Sequence, residues 1–137
     1  MREQTLALIK PDGVMKGVVE AIKQRYREGG LKIVRERTHV MDLFSVREFY
    51  QEHTGKFFFE GLVLSMASGP SVAIVLEGED AISKVRALNG ATDPAKAEPG
   101  TIRHDFRSAG GPFNTVHGSD SSEAVIREIQ IAFGGAM

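Results

Sequence analysis

Residues 71–77 read SVAIVLE, an unbroken apolar run rich in β-branched side chains. A strand of this kind has no polar face to turn toward water, so it belongs in the centre of a sheet. The remaining elements must supply its neighbours and its cover. Thr5–Ile9 (TLALI) is a second β-prone run, stopped at Pro11-Asp12-Gly13, a turn signal. Val14–Tyr26 spaces Val18, Ala21, Ile22 and Tyr26 as one helix face, ended by Gly29-Gly30. Leu31–Met41 alternates as a strand, and Ser45-Val-Arg-Glu48 matches a capping box that predicts a helix through about His53. Short helices are expected over Phe59–Ala67 and Gly78–Leu88. Asn89–Gly111 has four glycines, two prolines and no period, and a loop that long inside a domain is functional or disordered. Phe113–His117 reads as a short strand and Ser119–Phe133 as a final helix with Val125, Ile129, Ala132 and Phe133 inward. The order is βαββαβ, which predicts an α/β (α+β) fold: a ferredoxin-like split βαβ sandwich whose antiparallel four-stranded sheet is covered by helices.

At 137 residues the chain is expected to form one domain over 1–137, large enough to bury roughly 68% of its unfolded surface without staples. It has no cysteine, which excludes disulfides and thiolate metal sites and suits a reducing compartment. The N-terminal MREQTLALIK is too charged for a signal peptide, and no apolar run reaches membrane-spanning length. These features predict a cytoplasmic protein without a membrane. A net charge of −1 argues against nucleic acid as a partner.

The chemistry-bearing residues gather late in the chain. NTVHGSD at 114–120 puts His117 between a short strand and a helix start. A neutral imidazole there can attack an electrophile or shuttle protons, or it can simply be packed. Gly118 permits close backbone approach, while Ser119 and Asp120 offer a hydroxyl, a carboxylate and a helix N-terminus for an anion, although both are also ordinary caps. Glu128 falls two to three turns up the final helix among apolar residues, where it can orient a histidine or sit on the surface; spacing alone favours the surface. Lys84, Arg86, Lys96, Arg103 and Arg107 outnumber Asp93, Glu98 and Asp105 across 84–107, and guanidinium groups at Arg86 and Arg103 suit phosphate oxygens, though solvated surface is the commoner fate. Lys10 ends the first strand where a sheet edge would present it to a cleft. No Walker-type loop, nucleophile elbow or metal-ligand spacing of the four histidines (His39, His53, His104, His117) is present. These residues alone describe an anion-binding α/β domain with a reactive histidine.

NTVHGSDS at 114–121, IKPDGV at 9–14, FFFEGLVLSMASGP at 57–70, NGATDP at 89–94 and PGTIRHDF at 99–106 together resemble the nucleoside diphosphate kinase family over nearly the whole chain. The resemblance implies transfer of the γ-phosphate of a nucleoside triphosphate to a nucleoside diphosphate by a ping-pong route through a phosphohistidine at His117, with broad base tolerance. It implies that Lys10 contacts phosphate and the ribose 3′-hydroxyl, that Asn114 binds the same sugar region, and that Arg86, Thr92 and Arg103 hold phosphate. Phe58 matches the aromatic under the base, Tyr50, Ser119 and Glu128 the residues supporting the histidine, and Pro94 the proline of a subunit-contact loop. Mg²⁺ is expected on the nucleotide phosphates, with no protein metal site, and a homo-oligomer, hexamer or tetramer, is expected.

Three departures accompany the resemblance. His104 stands where glycine is usual, the segment RSAGGPF before Asn114 is one residue longer than in many relatives, and the chain ends soon after Phe133. The rival from another class is a ferredoxin-like binding module. An RNA reader would alternate aromatic and basic residues on its central strands, which SVAIVLE and LKIVRERT do not.

Overall fold

Alternation along two central strands organises the molecule, seen in a computed structural model that describes residues 1–108, 110 and 113–134. The strands are β1 (Arg2–Ile9), β2 (Lys32–His39), β3 (Ser71–Glu79) and β4 (Val116–Gly118), joined antiparallel in the order β2-β3-β1-β4. The helices are α1 (Pro11–Met15), α2 (Val19–Glu28), α3 (Leu43–Phe49), α4 (Phe59–Ala67), α5 (Ala81–Asn89), α6 (Ile102–Asp105) and α7 (Ser122–Ala132), with 3-10 turns at Gln51–His53 and Pro94–Lys96. This is the expected ferredoxin-like sheet with SVAIVLE inside it. Because successive side chains on a strand point to opposite faces, Leu6, Leu8, Ala73 and Val75 join one core with α3, α4 and α7. Ala7, Ile9, Ile74 and Leu76 join the other with α2 and α5. All eight are at most 3% exposed, so the inner strands are apolar on both faces for a packing reason.

Several boundaries differ from the sequence expectation. The segment 14–26 is not one helix but parts of two. Pro11 occupies the first turn of α1, where its missing N–H costs nothing, and Gly17 at φ +74° separates α1 from α2. Pro-Asp-Gly therefore opens a helix instead of making a loop turn. The Ser45–Glu48 capping box is not used. Asp42 caps α3 three residues earlier, accepting from Ser45 N at 2.7 Å, and α3 ends at Phe49. β3 runs on to Glu79, and Asp80 reverses the chain at φ 49° before α5 starts at Ala81. Ser121, not Ser119 or Asp120, caps α7, accepting from Ala124 N at 3.1 Å. The irregular 89–111 stretch holds α6, capped by the Thr101 hydroxyl.

Candidate active site

The site begins with KPDGV and ends with NTVHG, brought together by pairing of β1 with β4. Leu8 lies opposite His117 and Ile9 opposite Val116, and Lys10 N extends the ladder by donating to Thr115 O at 2.9 Å. The chain turns sharply between Asn114 and β4 because Thr115 holds φ 76°, a conformation that costs a β-branched residue about 1–3 kcal/mol. Asp12 holds it there, its Oδ2 accepting from Thr115 N at 2.9 Å, while the Thr115 hydroxyl donates to Phe106 O at 2.9 Å. Gly13 packs tightly beside it. A Cβ there would stand 3.0 Å from Ile9 Cγ2 and 3.1 Å from Thr115 O.

His117 is held from three sides. Its Nε2 is 2.7 Å from Glu128 Oε1, and the rings of Phe49 and Tyr50 meet it edge-on at 5.0 and 5.6 Å. Glu128 is 2% exposed and its Oε1 also accepts from Ser119 Oγ at 2.7 Å. With Glu128 Oε1 as the acceptor, the His117 ring proton is assigned to Nε2. The Nδ1 lone pair is then left, without a hydrogen bond to any described residue. The surface reading of Glu128 from spacing alone is thus corrected: α7 turns that residue inward onto the histidine. Gly118 is needed because α5 packs directly on β4; a Cβ would lie 2.9 Å from Val85 Cγ1 and 3.1 Å from Asn89 Nδ2.

A cleft of about 900 Å³ opens in front of this histidine, lined by Lys10, Phe58, Arg86, Thr92, Arg103 and Asn114 among others. Lys10 is almost wholly buried and donates from Nζ to Asn114 Oδ1 at 2.9 Å. Burial lowers its pKa to about 8, with Asp12 opposing and Arg103 adding to the shift. Asn114 turns its amide to Thr92 O at 3.1 Å, so one side chain ties the strand end to the 89–94 loop. Arg103 is buried and spends donors on the carbonyls of Gly90 (2.7 Å), Val116 (2.7 Å) and Asn114 (3.3 Å). Arg86, by contrast, is exposed at the cleft. Phe58, 37% exposed, meets Phe57 at right angles with centroids 5.6 Å apart. Tyr50 lines the cleft with a buried hydroxyl that has no partner among the described residues, and burial followed by the Glu128 charge pushes that phenol well up.

Every sequence-derived site residue borders this cleft except Ser119, which acts one layer behind through Glu128. Lys84, Lys96 and Arg107 lie outside it. His104 turns to Asp105 Oδ1 at 3.0 Å, so the departure from glycine leaves the backbone bonds of Arg103 in place. Pro94 is buried in its 3-10 turn. The extra residue in RSAGGPF falls on a stretch of which Ala109, Gly111 and Pro112 lie outside the described residues, as do residues 135–137. Sequence reading missed Asp12, whose role depends on a partner 103 positions away. It also missed Asn89, buried under the cleft and accepting from Tyr26 OH at 2.6 Å. Among the described residues no group of three or more His, Cys, Asp or Glu could hold a metal ion, and no helix is long and apolar enough to cross a membrane.

Similarity to known proteins extends over nearly the whole chain. Residues 3–136 match the family model described as nucleoside diphosphate kinase. A nucleoside diphosphate kinase of Methanosarcina barkeri is 52% identical over 131 residues, covering 96% of this chain and 87% of that protein. Among solved structures, the Aquifex aeolicus nucleoside diphosphate kinase superposes with a TM-score of 0.92 at 39% identity, covering 98% of this chain and 97% of the other. The Halobacterium salinarum enzyme in complex with CDP gives 0.90 at 43% identity, over 96% and 87%.

Proposed function

The chain belongs to the nucleoside diphosphate kinase family, and from that premise we propose that its phosphoryl transfer runs through His117 Nδ1. The enzyme moves phosphate between nucleoside tri- and diphosphates by the family's ping-pong phosphohistidine route. The observation that carries the assignment is the 2.7 Å contact of His117 Nε2 with buried Glu128 beside a cleft holding three cationic side chains.

In the first half-reaction the Nδ1 lone pair attacks the γ-phosphorus, and the bond to the β–γ bridging oxygen breaks. The departing diphosphate keeps the electron pair. Positive charge grows on the imidazole, and the Nε2–H bond to Glu128 stabilises it without moving the proton. In the second half a terminal β-phosphate oxygen of the acceptor attacks the phosphohistidine and Nδ1 recovers its lone pair. The transition state is loose, with charge spread on equatorial oxygens, so fixed cations matter more than covalent help. Arg86 and Arg103 supply that charge. Lys10 and Asn114 hold the sugar and phosphate, Thr92 the phosphate, and Phe58 stacks under the base without reading it. Tyr50 and Ser119 keep His117 and Glu128 in place.

Lys10, Arg86 and Arg103 repel a free divalent cation, which suits Mg²⁺ held by the nucleotide's own phosphates. Mg²⁺ bound there would supply charge neutralisation of the developing phosphate. The same reading has 1–137 as a single domain in a homo-oligomer, hexamer or tetramer, in the cytoplasm with its substrates. Initial-rate kinetics test the mechanism: parallel double-reciprocal lines for donor against acceptor, and loss of turnover in His117→Ala, support it, whereas intersecting lines would favour direct transfer in a ternary complex.

A further inference from the structure

Glu128 divides its two oxygens. Oε1 takes both His117 and Ser119, while Oε2 faces Arg127 Nη2 at 3.6 Å, the only Lys or Arg nitrogen within ion-pair distance among the described residues. Arg127 does not line the nucleotide cleft. It sits in a neighbouring groove of about 380 Å³ with Glu48, Gln51 and Ile131. Its Nη1 donates to Glu48 O and Phe49 O, each at 3.1 Å, the last carbonyls of α3, and its Nη2 reaches Glu52 Oε2 at 3.5 Å. One guanidinium thus joins the carboxylate behind His117 to the helix end that carries Phe49 and Tyr50 against the imidazole ring.

We propose that Arg127 is a positioning residue for phosphoryl transfer, fixing Glu128 and the end of α3 around His117 and balancing the buried carboxylate's charge so that Nδ1 keeps its lone pair. The inference rests on His117 being the nucleophile. A buried carboxylate 2.7 Å from an imidazole favours the imidazolium, which has no free pair and cannot attack phosphorus. A cation on the other carboxylate oxygen opposes that. The remaining charged or titratable groups around the ring and its cleft are Lys10 and Asp12 at the β1 end, Glu52 and His53 after α3, Arg86 and Arg103 on α5 and α6, Asp93 in the loop after α5, and Tyr50 and Asp120. Among these and Arg127, only Arg127 comes within ion-pair distance of Glu128. Cooperation between the two roles explains why an arginine is needed: its fork serves two carbonyls and two carboxylates at once.

The test is the single-turnover rate of His117 phosphorylation from Mg-ATP between about pH 5.5 and 8.5, for wild type, Arg127→Gln and Arg127→Lys. Removing the charge in Arg127→Gln moves the acidic limb of the rate profile up by about 0.5–1 pH unit and lowers the rate at pH 7 about 3- to 10-fold, with ATP affinity unchanged. Arg127→Lys keeps the wild-type limb. Should the Gln variant fail to fold, Arg127→Met, which keeps the aliphatic stem, is judged by the same criterion. A wild-type limb in the neutral variant, even with a lower rate, would reduce Arg127 to a staple between α3 and α7 and overturn the proposal. So would a Lys variant that shifts like Gln. Absence of phosphohistidine in the wild type at every pH would instead sink the nucleophile assignment on which the proposal stands.

Discussion

His117 Nε2 and Glu128 Oε1 lie 2.7 Å apart although they are eleven positions apart in the sequence, because α7 folds back over the end of β4. That contact fixes the tautomer, and removing its charge should be expensive. Glu128→Gln is expected to slow phosphohistidine formation about 10- to 100-fold while leaving nucleotide affinity within twofold. Rapid-quench single turnovers separate the two; an equal loss in binding would make Glu128 part of the nucleotide site.

Lys10 sets a pH dependence with a defined sign. Its folded pKa is lowered from 10.5 to about 8 by burial, so it is cationic below that value and increasingly neutral above it. The KM for nucleotides is therefore expected to rise as pH passes upward through about 8, and Lys10→Met should remove that limb. Stability runs the other way. Between about 8 and 10.5 the unfolded chain binds the extra proton, so this group makes stability increase with pH in that window. Melting curves of wild type minus Lys10→Met across the window check it; a flat difference would refute the burial argument.

Phe58→Ala should weaken nucleotide binding by about 1–3 kcal/mol, the value of a base on an aromatic face. The loss should be similar for purines and pyrimidines because every base has a π-face. Dissociation constants for ADP, GDP, CDP and UDP check it, and a loss confined to one base would mean the ring reads identity.

Gly118→Ala drives a methyl to 2.9 Å from Val85 Cγ1, so the Val85 side chain or α5 itself must shift. A destabilisation of about 1–3 kcal/mol is expected, together with lost activity because His117 is the neighbouring residue. Urea unfolding of the variant gives the number; unchanged stability would show that the contact relaxes freely.

The fold and most of the site are legible in the residues themselves. SVAIVLE marks a strand buried on both faces, and NTVHGSD carries the histidine, the close-packed glycine and the serine behind the carboxylate. Helix boundaries are less legible, since Asp42 and Ser121 cap their helices ahead of or behind equally good candidates at Ser45 and Ser119. With these caps Val46 and Val125 are buried in the core. Glu128 reads as surface from its spacing, and only the fold places it against His117. Asp12 and Arg127 are illegible for a related reason: each acts on a partner more than 70 positions away, and no local pattern encodes such a contact.

The account's central claim is that His117 carries the phosphoryl group, and intact mass of the full chain after incubation with Mg-ATP tests it most directly. The account predicts an acid-labile gain of one phosphoryl group that disappears on addition of any nucleoside diphosphate and never forms in His117→Ala. A folded wild-type chain that gains no phosphate, or an Ala variant that gains it equally, would contradict the claim.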